Sequence, residues 1–186
     1  MRYAALLRGV NVGKSVKVPM PVLKSLMEKN GFKNVVTYLN SGNVVFDTGL
    51  PQKEITGLIE NCLSRQIGQK IPVLVKSALE LERINKAVPK DWKNDESQKT
   101  DVAYLFEEPG DEKILESLPV QREFIDIRYV KGAVFWNVFR ENYNKSRINK
   151  IIGHRVYEKM TVRNINTARQ LAKLSKKKTC NIVASP

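Results

Sequence analysis

Two periodicities alternate along the first part of the chain. The unbroken apolar run of residues 2–7 predicts a buried strand, whereas apolar residues at helical spacing in 21–30 predict an amphipathic helix. Two β-rich runs follow, at 34–39 and 43–47, and the turn-forming residues 40–42 between them predict a tight hairpin.

A second helix and a further strand complete this pattern. Pro51 opens a stripe of apolar residues at helical spacing that continues to Leu63, and residues 71–75 form another β-type run. The order strand, helix, strand, strand, helix, strand is that of the split βαβ arrangement in ferredoxin-like folds. A third helix, capped by Ser77 and ended by Pro89, closes this unit.

The same order begins again after a polar stretch. We expect residues 1–89 to form the first half of the protein, 90–100 a linker and 101–186 a second half. In the second half, residues 101–106 predict a strand and 111–118 a helix with a negatively charged first turn.

A hairpin and a helical region complete the second half. Residues 123–130 and 133–139 predict the hairpin, 146–152 and 163–174 predict helices, and 180–184 predict a last strand. We therefore expect an α+β protein of two ferredoxin-like (split βαβ) halves packed together, the second less regular and carrying extra C-terminal helices.

Composition excludes several classes of protein. With 186 residues, 42% hydrophobic and 27% charged, the chain fits a globular protein rather than a disordered or fibrous one. No apolar run approaches the length of a membrane span, and no secretory signal is visible, so we expect a cytoplasmic protein with no membrane contact. The two cysteines, Cys62 and Cys180, fit that compartment.

Charge indicates a class of ligand. Lys and Arg number 32 against 19 Asp and Glu, a net charge of +13, and the basic excess is concentrated in residues 1–93 and 141–186 while 94–140 is acidic. If the two ends of the chain meet, they form one basic face suited to a polyanion such as nucleic acid. The alternative is that the basic charge serves solubility alone.

Catalytic motifs are not supported. The run from Gly9 to Ser15 resembles a P-loop, but it has three residues between its glycines where four are needed, and extended residues follow it. It retains the character of an anion-binding loop. Ser41 lacks a base, because the only histidine, His154, has basic neighbours. We therefore predict no catalytic residue, no cofactor and no metal site.

Three segments carry a resemblance to a known family. Residues 6–13, 37–46 and 161–167 resemble, in the same order, the bacterial family catalogued as domain of unknown function 1697. The chain departs from that family at Lys14, where a second glycine is usual, and at Ile165, where tryptophan is usual. The resemblance implies a cytoplasmic α+β protein with no established activity.

The resemblance also indicates a binding site. Its polar and glycine positions are explained less well by packing than its apolar ones. If the three segments converge, these positions would form an anion pocket, in which Asn164 and Thr167 also begin a helix. The predicted anion-binding residues are Arg8, Asn11, Gly13, Ser41, Gly42, Asn43, Arg163, Asn164 and Thr167.

Three functions remain open from the sequence. The first is a non-catalytic binding protein for a polyanion, with nucleic acid as the expected partner. The second is an enzyme or sensor for a small phosphorylated or carboxylated ligand, with Arg8 and Arg163 as clamps. The third is an interaction protein that forms a homo-oligomer, whose size the sequence does not define.

Overall fold

Two four-stranded antiparallel sheets organise the chain, whose computed structural model describes residues 1–13, 15–106 and 113–176. The first sheet has the spatial order β2-β3-β1-β4. Its strands are β1 (Arg2–Leu7), β2 (Lys33–Tyr38), β3 (Asn43–Asp47) and β4 (Val73–Ser77).

The second sheet repeats this arrangement, because its spatial order is β6-β7-β5-β8. Its strands are β5 (Gln98–Leu105), β6 (Asp126–Val130), β7 (Ala133–Phe139) and β8 (Met160–Asn164). The α-helices are α1 (Met20–Lys29), α2 (Gln52–Ile67), α3 (Ala78–Ala87), α4 (Lys113–Glu116) and α5 (Ile165–Ser175).

Both faces of the first sheet are buried, which explains the continuous apolar run of β1. Successive side chains of a strand point to opposite faces. Tyr3, Ala5 and Leu7 pack with α1 and α2, whereas Ala4 and Leu6 face a middle layer. That layer holds α3 and α5 between the two sheets, and a third apolar cluster covers the far face of the second sheet.

Local signals set several of the helix ends. Ser77 and Glu80 form a capping box at the start of α3, in which the Ser77 hydroxyl accepts a hydrogen bond from the Glu80 amide. Gly68 ends α2 in the left-handed conformation, with φ at 76°. The predicted hairpin between β2 and β3 is present, with Tyr38 paired to Asn43.

The C-terminal elements correct two predictions and leave a third untested. Arg163 does not begin a helix but lies in β8, because Met160 and Val162 pack on the far face of the second sheet at a strand period. The predicted α-helix at 146–152 is a 3₁₀ helix over Ile148–Gly153. β8 takes the place of the fourth strand, and the strand predicted at 180–184 lies outside the described residues.

The middle of the chain differs from prediction in its boundaries. β5 begins at Gln98, three residues before the predicted strand. The predicted helix at 111–118 is shorter, because α4 spans only Lys113–Glu116; residues 111 and 112 are not among the described residues. The division into 1–89, 90–100 and 101–186 stays a prediction. None of the described helices is long and apolar enough to cross a membrane.

Candidate functional site

Arg163 joins the three segments that carry the family resemblance. It lies in β8, and its Nη2 donates to the Leu7 carbonyl at the end of β1, at 2.8 Å, and to the Ser41 carbonyl in the hairpin turn, at 3.0 Å. Its Nε donates to Asn43 Oδ1 at 2.6 Å. The convergence on which the predicted pocket depended is therefore present.

All the hydrogen-bond donors of the Arg163 guanidinium are paired inside the protein. Its Nη1 donates to Thr161 Oγ1 and to the Val162 carbonyl, each at 2.8 Å, so five hydrogen bonds match the five N–H donors of an arginine. The residue is 8% exposed. Burial lowers the pKa of Arg163 to about 10, and no carboxylate in the described ranges pairs with it.

Asn43 and Gly42 hold the hairpin turn against the end of β1. Asn43 is fully buried, and its Nδ2 donates to the Tyr38 carbonyl at 3.0 Å and to Ser41 Oγ at 2.9 Å. Gly42 has φ at +71°, and a Cβ at this position would lie 2.6 Å from a methyl carbon of Val10. Glycine is therefore required here by both the backbone angle and the close packing.

Asn11 fastens the first loop to the same hairpin turn. Its Nδ2 donates to the Val18 carbonyl at 2.8 Å and to the Asn40 carbonyl at 2.7 Å, and its Oδ1 accepts from the Val18 amide at 2.8 Å. Gly13 is exposed, and its carbonyl accepts from Lys17 Nζ at 3.2 Å. The loop leads to α1 only at Met20, unlike a P-loop, which opens a helix at once.

Asn164 and Thr167 begin α5. Asn164 is the N-cap, and its Oδ1 accepts a hydrogen bond from the Thr167 amide at 2.9 Å. Thr167 is buried at 3% exposure. Their positions are thus explained by helix capping and packing, and their use by a ligand stays a prediction.

Of the two arginines in the predicted site, Arg8 is the one whose charge remains available to a ligand. Its guanidinium lies over the ring of Tyr157, with 5.5 Å between Cζ and the ring centre. Its Nε is buried and has no hydrogen-bond partner within the described structure. Sequence reasoning missed Tyr157, because nothing in the spacing of residues along the chain connects it to Arg8.

The segment around Tyr157 is strongly basic. Residues 145–159, here called the basic segment, contain five Lys and Arg against the one carboxylate of Glu158. Ile148, Ile151 and Val156 are buried and fix the segment to the second sheet. The cations themselves are all exposed, namely Lys145, Arg147, Lys150, Arg155 and Lys159.

The only histidine of the chain has a structural role. His154 Nδ1 accepts a hydrogen bond from the Val156 amide at 3.3 Å, so it caps a 3₁₀ helix. The part of the chain that the structure describes holds no cluster of His, Cys, Asp and Glu that could bind a metal. A groove of about 560 Å³ lies beside β6, lined by Phe124, Asp126 and Phe139 among others, and none of the predicted site residues lines it.

Comparisons with known proteins give a family but no activity. The family described as "Protein of unknown function (DUF1697)" matches residues 1–136, a range that contains the first two resembling segments but not the third. The chain is similar to a solved structure, the conserved bacterial protein SP0830 from Streptococcus pneumoniae, with 25% sequence identity and a TM-score of 0.78. That similarity covers 94% of this chain and 98% of the other. No curated protein matches the chain.

Proposed function

The chain belongs to the DUF1697 family, and we propose that it is a non-catalytic binding protein for a polyanion, namely nucleic acid. The observation that carries the proposal is the basic segment 145–159. Its buried apolar residues hold it against the second sheet while its five cations all face solvent. A phosphate backbone is the ligand that such an array of separate positive charges binds best.

The cations of the basic segment differ in their pairing from many others in the protein. Arg2, Lys86 and Arg128 form ion pairs with Asp47, Glu82 and Asp126, at 3.1, 3.1 and 2.8 Å. In the regions that the structure describes, no cation of the basic segment has a carboxylate partner. Their charge is therefore free to neutralise phosphates and release counterions.

Arg8 extends this surface towards the first loop. The contact between Arg8 and Tyr157 brings the loop that follows β1 beside the basic segment. Lys17 is exposed on the same loop. In this proposal the residues that converge on Arg163 build a rigid frame, while Arg8, Lys17 and the basic segment contact the ligand.

The structure gives the small-ligand alternative less support. That alternative needs Arg163 as a clamp, and all five of its N–H donors are engaged within the protein. A ligand would have to displace hydrogen bonds that hold the two sheets together. Arg8 remains as a donor, but one half-buried guanidinium without converging partners does not define a small-molecule site.

Two ferredoxin-like halves are part of the same proposal. Support comes from the strand orders β2-β3-β1-β4 and β6-β7-β5-β8, which are equivalent when each sheet is numbered from its own first strand. Such sheets often serve nucleic-acid binding in other proteins, but here both faces of the first sheet are buried. The proposed surface is instead formed by the basic segment, which packs on the far face of the second sheet, and by the loop that follows β1.

The test is salt-dependent binding of short duplex and single-stranded nucleic acids, followed by fluorescence anisotropy. A triple variant, Lys150→Ala, Arg155→Ala and Lys159→Ala, is expected to reduce the slope of log K against log salt by about 0.9 for each phosphate that the protein no longer neutralises. The matched control removes the same charge from the α1 and α2 side, with Lys29→Ala, Lys53→Ala and Lys70→Ala. We expect the control to keep the slope; an equal reduction in both, or no binding at about 50 mM salt, would overturn the proposal.

A further inference from the structure

Leu39 occupies a position that a leucine does not favour. It lies in the turn between β2 and β3 with φ at 53°, and its surface is 55% exposed. The left-handed region is uncommon for any residue with a side chain and is tolerated best by Gly, Asn and Asp. A single exposed leucine is common at a protein surface, and it is the combination of that exposure with a left-handed backbone that is unusual here.

The hairpin turn holds Leu39 in this conformation from both sides. The carbonyl before it, of Tyr38, accepts from Asn43 Nδ2 at 3.0 Å, and the carbonyl after it, of Asn40, accepts from Asn11 Nδ2 at 2.7 Å. Asn43 is held in turn by Arg163. An unfavourable backbone conformation persists only where the surrounding hydrogen bonds and packing hold it in place. Residues in such conformations cluster at functional sites.

A second exposed aliphatic side chain stands on the neighbouring loop. Val12 is 68% exposed, and it follows Asn11, the residue that fastens this loop to the hairpin turn. Lys17 and Arg8 belong to the same loop region, and Arg8 contacts the basic segment through Tyr157. The hydrogen bond from Asn11 to the Asn40 carbonyl thus joins the two turns that carry these exposed aliphatic side chains, on a loop that also carries Lys17 and Arg8.

We propose that Leu39, with Val12 on the adjoining loop, is an apolar wedge that contacts unstacked base pairs of a bound duplex. The inference rests on the proposed function and specifies its binding mode. Proteins that bend DNA insert apolar side chains such as leucine between base steps while cations hold the backbone. Charge complementarity favours a nucleic-acid duplex as the occupant, because the exposed Lys17 donates from Nζ to the Gly13 carbonyl, next to Val12, at 3.2 Å.

The experiment uses a duplex with 2-aminopurine at a flexible TA step, whose fluorescence rises when the base unstacks. Wild-type protein is expected to raise the fluorescence, Leu39→Met to preserve the rise, and Leu39→Asn to abolish it. Because asparagine tolerates positive φ, Leu39→Asn should keep or raise the melting temperature. Leu79→Gln, at a leucine 76% exposed on α3, is the control and should leave the fluorescence rise unchanged.

The outcomes separate the wedge from the proposed function. Salt-dependent binding without a fluorescence rise, or a rise that survives Leu39→Asn, overturns the wedge and leaves polyanion binding intact. Absence of duplex binding by the wild type overturns both. A lower melting temperature for Leu39→Asn shows that Leu39 packs within the fold and overturns the wedge. Self-association that Leu39→Asn abolishes, with no effect on fluorescence, assigns the position to a second copy of the chain and also overturns it.

Discussion

Replacing Arg163 with methionine tests whether this residue is a structural link between the two sheets. Methionine has a comparable length and no hydrogen-bond donor. The substitution leaves five acceptors without their partner, among them the buried Asn43 Oδ1 and the carbonyls of Leu7 and Ser41. It also removes a positive charge that burial disfavours.

The size of the effect follows from these two opposing contributions. A hydrogen bond from a charged donor stabilises by about 1.5 kcal/mol or more, so five contribute roughly 7.5 kcal/mol at the lower figure. Burial lowers the pKa of Arg163 to about 10, and at about 1.36 kcal/mol for each pH unit this decrease corresponds to a penalty of roughly 3 kcal/mol. We expect Arg163→Met to lower the free energy of unfolding by about 4 kcal/mol.

Urea unfolding of the purified variants measures this decrease. Arg155→Met, at an exposed arginine, is the matched control and should change the free energy by less than about 0.5 kcal/mol. A double-mutant cycle with Asn43→Ala should give a coupling energy of about 2 kcal/mol for the 2.6 Å contact between Asn43 and Arg163. A decrease below about 1 kcal/mol for Arg163→Met would refute the reasoning, because the hydrogen bonds would then only balance the burial of the charge.

Two further substitutions have expected outcomes. In urea unfolding, Gly42→Ala should lower the free energy of unfolding by about 3 kcal/mol, because the new Cβ would lie 2.7 Å from the Cβ of Leu7 and the backbone has φ at +71°. Gly68→Ala is the control: its φ is +76° but the space around it is open, so it should lower the free energy of unfolding by about 1 kcal/mol. Burial raises the pKa of Asp101 above 3.8 despite Lys99 at 3.4 Å. The native state therefore holds the carboxyl proton more tightly than the unfolded state does. The free energy of unfolding should fall as the pH rises from the unfolded-state pKa of Asp101 to its higher native-state pKa. Asp101→Asn should flatten that dependence and match or exceed the wild type at neutral pH; a less stable variant would contradict this.

The first sheet was predictable because local signals and long-range packing agree there. The hairpin turn between β2 and β3 contains Gly42 at positive φ, as the turn sequence predicts. The helix cap at Ser77 is likewise formed by the residue that the sequence indicates. These features depend on residues near one another in the chain, which is why sequence reasoning reached them.

β8 was missed because its pattern is short and runs directly into α5. Five strand residues precede the helix without a turn, and Asn164 ends one element as it caps the next. A helical pattern that is strong over residues 165–175 extends easily into the strand before it. The interpretation of Arg163 as part of a helix start follows from that error.

The partners of Arg163 could not be inferred from the sequence. Asn43 is 120 residues away and Leu7 is 156 residues away, and only the packing of the two sheets brings them together. From the sequence alone, a binding site is the explanation that accounts for all the polar residues of the resembling segments at once. The sequence therefore predicts that these residues are ligand donors. The structure supplies another explanation for Asn11, Asn43 and Arg163, which is the joining of loops to sheets.

The joining of the two sheets changes where specificity for a ligand is expected. Residues whose donors are all engaged inside the protein hold the geometry fixed, and a change at Arg163 or Asn43 acts on stability before it acts on binding. Side chains that lie mainly at the surface can differ according to the ligand with little effect on stability, and Leu39 and most cations of the basic segment are exposed in this way. Stability and binding should therefore respond to separate sets of substitutions: Arg163→Met should lower the free energy of unfolding, while Leu39→Asn should leave it intact and alter the contact with the duplex.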